Sequence, residues 1–370
     1  MQRVVFASQA VDPFAAELRE RVAGHFSAGA ISSKANASVI AKTVILLAVT
    51  FGCYGLILSG LCSPLVMLLL AIVMGLGVAG IGFGISHDAL HGAYSSRPWV
   101  NRALGCTFEL LGASTYKWRI THNVAHHVYT NIHGADEDLA VSDMVRFSPH
   151  AKWLPYHRFQ HVYAFFLYGL CTLNWAFFAD YQYFSRRAPE HFRKRRPSMR
   201  SILWLIATKA FYYGYTIVIP LAVLRVAWWQ FAIGYLAMHF TAGLVVAVVF
   251  QLAHVVEGTE HPEPGVTGQM RQPWARHELA TTANFACHDR LLSWYLSGLN
   301  FQIEHHLFPK ICSVHYPALS PVVRAVAQKH GLPYNEVPTL YDALASHYRA
   351  LKLLGRQVSS ETKNAASRAA

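Results

Sequence analysis

The chain has 370 residues, 53% of them hydrophobic and only 14% charged, and its formal net charge is +12. Soluble domains carry roughly 25% charged residues, so this composition excludes an ordinary soluble enzyme and equally a disordered chain. In so apolar a protein the positive excess points to basic loops on the cytoplasmic face of a membrane, not to nucleic acid. The six cysteines form no CxxC pair, which argues against a disulfide framework and against a cysteine zinc site. The outlying count is 21 histidines.

Residues 1–38 carry Asp12, Glu17, Arg19, Glu20 and Arg21 and lack the early apolar run of a secretory signal. The pattern FAAELRERVAGHF predicts a short amphipathic helix, suited to a membrane surface. The first uncharged apolar run covers 43–62, and twenty residues at 1.5 Å each make about 30 Å, the thickness of a bilayer core. Ser63-Pro64 allows a tight break, and a second uncharged run, 64–86, ends just before His87. Residues 99–118 and 159–179 are apolar but interrupted by polar side chains, and are read as interfacial or partly buried helices. Residues 201–224 and 226–253 form a third and a fourth span, with Arg225, Trp228 and Trp229 at their short connection.

The expected architecture is therefore an all-α integral membrane protein of about four transmembrane helices in two hairpins, with a cytoplasmic histidine-rich helical cap. An N-terminal interfacial segment (1–38), a membrane domain (39–320) and a C-terminal helical cap with its tail (321–370) divide the chain. Arg186, Arg187, Arg193, Lys194, Arg195, Arg196 and Arg200 lie between the second and third spans. They place that loop, and with it both termini, in the cytoplasm.

Three histidine clusters stand out: His87-Asp-Ala-Leu-His91, His122-Asn-Val-Ala-His126-His127 and Gln302-Ile-Glu-His305-His306. On a helix, residues four apart leave the same face, so HxxxH is a natural chelating pair. Two spans separate the second cluster from the third. All three clusters therefore emerge on one membrane face, where His254, at the end of the fourth span, joins them. Eight imidazoles exceed the four ligands of one tetrahedral zinc and suit two metals of higher coordination number, with a di-iron centre the preferred reading. Imidazole alone does not choose among iron, zinc, copper and nickel. Asp88, Asp136, Asp138, Glu257 and Glu304 are placed to accept the second N–H of bound imidazoles. His133, His150, His157, His161, His261, His277, His288 and His315 lack such patterns and read as surface or structural, and His239 as a buried hydrogen-bonding residue.

The strings HDALHG (87–92), HNVAHHVYTN (122–131) and NFQIEHHLFP (300–309) resemble the membrane fatty acid desaturases over roughly residues 40–350. Gln302 in the third box and TNIHGADEDL (130–139) are similar to the front-end branch, which inserts a double bond between an existing one and the carboxyl end. The resemblance implies two iron ions, O₂ as co-substrate and a fatty acyl substrate on CoA, lipid or acyl carrier protein. It implies iron ligands at His87, His91, His122, His126, His127, His305 and His306, with His254 as a lone further ligand. Gln302 stands where the family has a ligand, and contacts metal directly or through water.

Many front-end members carry a fused cytochrome b5 domain with an HPGG haem motif, whereas here His261-Pro262 is followed by Glu263-Pro264. The expected electron donor is a separate ferredoxin or cytochrome b5. The acyl chain is expected in a narrow apolar tunnel, with Trp118, Tyr129 and Trp294 as candidate lining. Competing readings are a lipid hydroxylase on the same metal site, a haem b electron carrier, which needs histidines inside facing spans, and a metal transporter, which needs polar residues at mid-membrane.

Overall fold

The computed structural model describes residues 4–7, 12–139, 142–185 and 197–357. Four helices are long and apolar enough to cross a bilayer: α2 (Ala37–Leu58), α3 (Pro64–Leu90), α8 (Met199–Val223) and α9 (Trp228–His254). Between α3 and α8 lie α4 (Pro98–Gly105), α5 (residues 115–129), and the bent pair α6 (Pro155–Gly169) and α7 (Cys171–Ser185). The N-terminal end adds β1 (Val5–Ala7) and α1 (Pro13–Ala28). After α9 come β2 (Gln269–Pro273), α10 (Trp274–Thr281), β3 (Asn284–Phe285), α11 (Arg290–Tyr295) and α12 (Gln302–Leu307). They are followed by α13 (Tyr316–Lys329), β4 (Glu336–Val337) and α14 (Leu340–Leu354). The strands form two minimal parallel pairs, β1 with β2 and β3 with β4.

Local chemistry starts each span. Asn36 caps α2 through the Val39 amide. Ser63 caps α3 through Val66, with Pro64 in the first turn, where a missing N–H costs nothing. Ser198 caps α8 through Ser201. The outward faces of these helices carry Val44, Leu56, Leu69, Leu203, Ile206, Phe211, Leu221 and Ile233, all exposed. An apolar belt of that extent is unstable in water and suits acyl chains. Inside the bundle, small residues let backbones touch. A Cβ on Gly75 would lie 2.5 Å from the Met238 carbonyl, and one on Gly243 would lie 2.6 Å from the Gly169 carbonyl.

The helices α3 and α9 both finish at the histidine cluster described below, so they run parallel. An odd number of crossings must join them, and α8 supplies one. The bent pair α6–α7, with its 59° break, therefore dips into the layer and returns to the side it left. Its depth is marked by Thr172, which bonds His239 at 3.0 Å, fifteen residues or about 22 Å along α9 from His254. On the way back Asp180 meets Lys209 of α8 at 2.8 Å, both buried. Reading 159–179 as an embedded helix and not a span agrees with this parity.

The span limits shift from 43–62, 64–86, 201–224 and 226–253 by a few residues, because caps and not hydropathy set the ends. The amphipathic α1 buries Phe14, Leu18 and Val22 against Leu279, Ile303, Leu319 and Val323. The face expected to meet a membrane surface is taken up by protein.

Candidate metal centre

Two of the histidine boxes sit on π-helical turns. Gly82–His87 is one, and Thr121–His126 is the other. Such turns widen the helix locally and recur at functional sites. Here they aim His87, His122 and His126 into one buried space between the ends of α3 and α9.

The eight histidines of the three boxes and α9 converge. His87, His91, His122 and His305 can offer one nitrogen each with all four within 4.8 Å of one another, and His126, His254 and His306 form a second such group. His127 forms a third with His305 and His306, so it lies between the two poles. The rings pack closely, with centroids 4.5 Å apart for His87 and His305, 4.6 Å for the edge-to-face pair His126 and His254, and 4.4 Å for His127 and His306. Imidazoles this close cannot sit on opposite faces of a porphyrin, and they lie at the ends of the spans. The haem reading is not supported.

Nitrogens left without partners show what the cluster is for. Nε2 of His91, His126, His305 and His306, and both ring nitrogens of His254, are buried and unbonded within the protein. His122 and His127 turn their Nε2 atoms toward each other at 3.2 Å. Buried orphan lone pairs are costly, and a cation shared among them removes that cost. Burial, reinforced by the neighbouring imidazoles, pushes His91, His122, His127, His305 and His306 well below the usual histidine range. They are neutral, the form that ligates metal. His126 differs: burial lowers it, but the charge and hydrogen bond of Asp136 outweigh burial and raise it. The donor set therefore fits two cations with nitrogen-rich coordination.

The carboxylates sort unevenly. Asp138 accepts from Nδ1 of His122 at 2.8 Å, and Asp136 from Nδ1 of His126 at 3.0 Å. Each fixes the tautomer that leaves Nε2 free for metal. The corresponding partner of His306 is Glu278, at 2.8 Å from Nδ1, a residue the sequence did not single out. It follows no motif and reaches the box across 28 residues of chain. Thr130 donates to Glu278 at 2.8 Å.

Glu257 must be corrected. Its side chain is half exposed and pairs with Arg349 at 2.6 Å. Three residues past His254 the helix has ended, so sequence proximity did not carry it inward. Asp88 serves differently from expectation. Its Oδ2 accepts from Ser313 Oγ at 2.8 Å and from Cys312 Sγ at 3.1 Å, while Oδ1 stays 3.8 Å from His87 Nδ1. It fastens the first box to the loop after the third. Glu304 bonds Asn284 and Tyr334, each at 2.8 Å, and no histidine, and burial raises its carboxyl to about 7. Gln302 is buried and donates to the Leu299 carbonyl at 2.7 Å.

Asn131 was also missed as a clamp. In the left-handed conformation (φ 61°), which asparagine tolerates, its Nδ2 donates to the carbonyls of His254, Glu260 and Thr281.

Among the other histidines, His239 bonds Tyr212 at 2.7 Å and is structural, as expected. Of the aromatic candidates, Trp118 stacks on His122 with centroids 4.3 Å apart. Tyr129 faces Phe6, and Trp294 is exposed beside Lys42. None of the three lines the cavities within the bundle.

A membrane bundle that carries a polyhistidine centre at one end of two parallel spans defines a membrane protein with a candidate metal centre. The profile of the fatty acid desaturase family matches residues 63–338. The chain belongs to the fatty acid desaturase family, and is thus an oxidoreductase. It is 38% identical over 352 residues to an sn-1 linoleoyl-lipid 6-desaturase of Arthrospira platensis, covering 95% of this chain and 94% of that protein. A protein of the same description from a Synechocystis species is 36% identical over 341 residues, covering 92% and 94%. An acyl-lipid (8-3)-desaturase of Physcomitrium patens is 33% identical over 356 residues, covering 95% and 73%.

Proposed function

We propose that the protein is a front-end acyl-lipid desaturase, inserting a cis double bond between an existing double bond and the carboxyl end of a membrane-lipid acyl chain. The observation that carries the reading is the convergence of eight histidines, six buried and two partly buried, five of them with orphan Nε2 atoms, at the end of an apolar bundle. The relatives' descriptions and the Gln302 box support the front-end position and the lipid carrier. The proposed metal is iron, two ions, held by His87, His91, His122 and His305 at one pole and by His126, His254 and His306 at the other, with His127 between. Gln302 contacts them directly or through water.

Bound iron supplies the activation of O₂ that an unactivated C–H bond requires and that no side chain provides. The reaction consumes the acyl chain, O₂, two electrons and two protons, and yields the alkene and two waters. The chain's own residues do the rest. Asp136, Asp138 and Glu278 hold the Nδ1 protons of His126, His122 and His306, so the Nε2 lone pairs point at metal. The closely packed imidazoles and the cap exclude bulk water from the reactive volume. Electrons come from a separate ferredoxin or cytochrome b5, for which the basic net charge provides attraction to an acidic partner. The basic stretch 186–200 supports a cytoplasmic site with cytoplasmic termini.

The test is expression in a bacterial host fed saturated, oleic and linoleic acids, with gas chromatography–mass spectrometry of total fatty acids. A new alkene on the carboxyl side of an existing double bond, absent with His126→Ala, is expected. A hydroxylated product would transfer the protein to the hydroxylase reading.

A further inference from the structure

The start of α6 and the end of α14 are tied into one surface. Trp153 Nε1 donates to the Gly355 carbonyl at 2.8 Å, and Gln160 Nε2 donates to the Leu351 carbonyl at 2.8 Å. The Arg146 guanidinium reaches the Leu354 carbonyl at 2.6 Å. Backbone meets backbone here, since a Cβ on Gly355 would strike the His157 carbonyl. Four basic side chains stand exposed around this seam: Lys152, Arg158, Lys352 and Arg356. Among the described residues none of the four forms an ion pair. Residues 152–161 and 352–357 hold no aspartate or glutamate. The acids nearby are engaged elsewhere. Glu257 pairs with Arg349, and Asp342 bonds Thr339 at 2.6 Å. Asp143, in the adjoining loop, turns its carbonyl to Tyr156 and His157 and leaves the corner a net positive charge.

The depth of the corner follows from α6 itself. Phe159, Val162 and Phe166 are exposed, and their spacing of three and four residues puts them on one helix face. That face belongs to the apolar belt, as the helix dips into the layer. Immediately before it the chain turns basic and aromatic. Tyr156 is exposed, and the Arg158 guanidinium lies 4.7 Å over the Phe159 ring. A boundary of this kind, with basic heads and aromatic rings above acyl-facing side chains, stands at the level of lipid headgroups. Lys352 and Arg356 reach the same level from α14, whose Tyr348 packs on His161 of α6 with ring centroids 5.1 Å apart.

We propose that this corner binds the anionic headgroups of the surrounding bilayer, with Lys152, Arg158, Lys352 and Arg356 meeting lipid phosphates, and so docks the C-terminal helix to the membrane. The proposal rests on the embedding of α6 and not on the reaction proposed above.

Two observations favour a lipid over an acidic protein as the occupant. The charges are interleaved with side chains that continue into the acyl-facing belt, where a soluble partner cannot follow. They are also spread over two elements that meet at the membrane boundary, so one layer of headgroups reaches all four. The dock has a consequence inside the protein. On the inner face of α14, His347 is buried between the Val255 carbonyl at 2.7 Å and the Tyr168 hydroxyl at 2.9 Å. Val255 directly follows His254. A headgroup layer that holds α14 down therefore braces the end of α9.

The test is native mass spectrometry of the detergent-purified full chain, titrated with phosphatidylglycerol or with phosphatidylcholine of the same acyl chains. The wild type is expected to bind phosphatidylglycerol the more tightly. Each basic residue near an anionic surface contributes about fivefold in affinity. Arg158→Gln with Lys352→Gln is therefore expected to weaken phosphatidylglycerol binding about 25-fold and to leave phosphatidylcholine binding unchanged. Arg21→Gln with Lys329→Gln removes the same charge from the surface around Glu17 and is expected to change neither. Equal affinity of the wild type for both lipids, or wild-type affinity in the Arg158 and Lys352 variant, would overturn the proposal. So would displacement of the lipid by millimolar inorganic phosphate, which would make the corner a site for a free anion. An acidic ferredoxin whose binding is lost in that variant while lipid binding persists would make it a protein dock instead. Lys152→Gln with Arg356→Gln gives the same readout should the first pair fail to accumulate.

Discussion

Three carboxylates, Asp136, Asp138 and Glu278, each hold one imidazole of the cluster, and the other acids do not. Outer partners of metal ligands are worth about 10- to 100-fold in metal affinity or activity. Asp138→Asn and Glu278→Gln are therefore each expected to lower bound iron and alkene yield by that order. Glu257→Gln is expected to leave both unchanged, since Glu257 only pairs with Arg349 at the surface. Metal analysis of the purified proteins beside product analysis reads both quantities. The contrast also shows what was legible in the chain. The convergence of the histidine boxes was readable because four-residue spacing is a local property of a helix. Asp136 and Asp138 were readable because they follow the second box closely. Glu278 was not, because a contact made across a turn and a second helix leaves no spacing signal. Glu257 was misread for the converse reason, that nearness in sequence stops implying nearness in space once α9 ends.

Small residues and a buried ion cluster join the membrane elements. Gly243 lies against the Gly169 carbonyl, so Gly243→Leu must push α6 off α9. Overpacking of this kind costs about 1–3 kcal/mol, and thermal unfolding of the detergent-purified protein should register it. Lys209 reaches Asp180 at 2.8 Å and also donates to the carbonyls of Gly112, Trp175 and Ala176. Lys209→Met leaves the buried Asp180 only its longer contact with Lys117, 3.7 Å from its other oxygen, at a cost below the ~3–5 kcal/mol of a fully unpaired buried charge, and adding Asp180→Leu should recover much of it. A double-mutant cycle on unfolding midpoints gives the coupling. Hydropathy located the four spans to within a few residues but left the α6–α7 pair ambiguous. Its apolar content alone permits a crossing, and only the arrival of His254 and His87 at one place requires that it turn back.

At the scale of the molecule, the parity of crossings puts the α2–α3 turn on the face opposite the histidines. In intact bacterial cells, an impermeant maleimide should therefore label Leu61→Cys in a cysteine-free background, and label Lys329→Cys only after the cells are opened. Labelling in the reverse order would invert the proposed orientation. The same long-range closure bears on how the protein is made. The first histidine of the cluster is residue 87 and the last is residue 306, while the partners of α1 run from Leu279 to Leu319 and Val323. At the usual pace of translation, the 219 residues between His87 and His306 take about 10–40 s to emerge. For most of that interval the early histidines are anchored in the bilayer with His254, His305 and His306 still unsynthesised. On the proposed di-iron reading, metal insertion would be the closing act of biogenesis. A nascent chain stalled before the third box should sit stably in the membrane and hold no tightly bound iron.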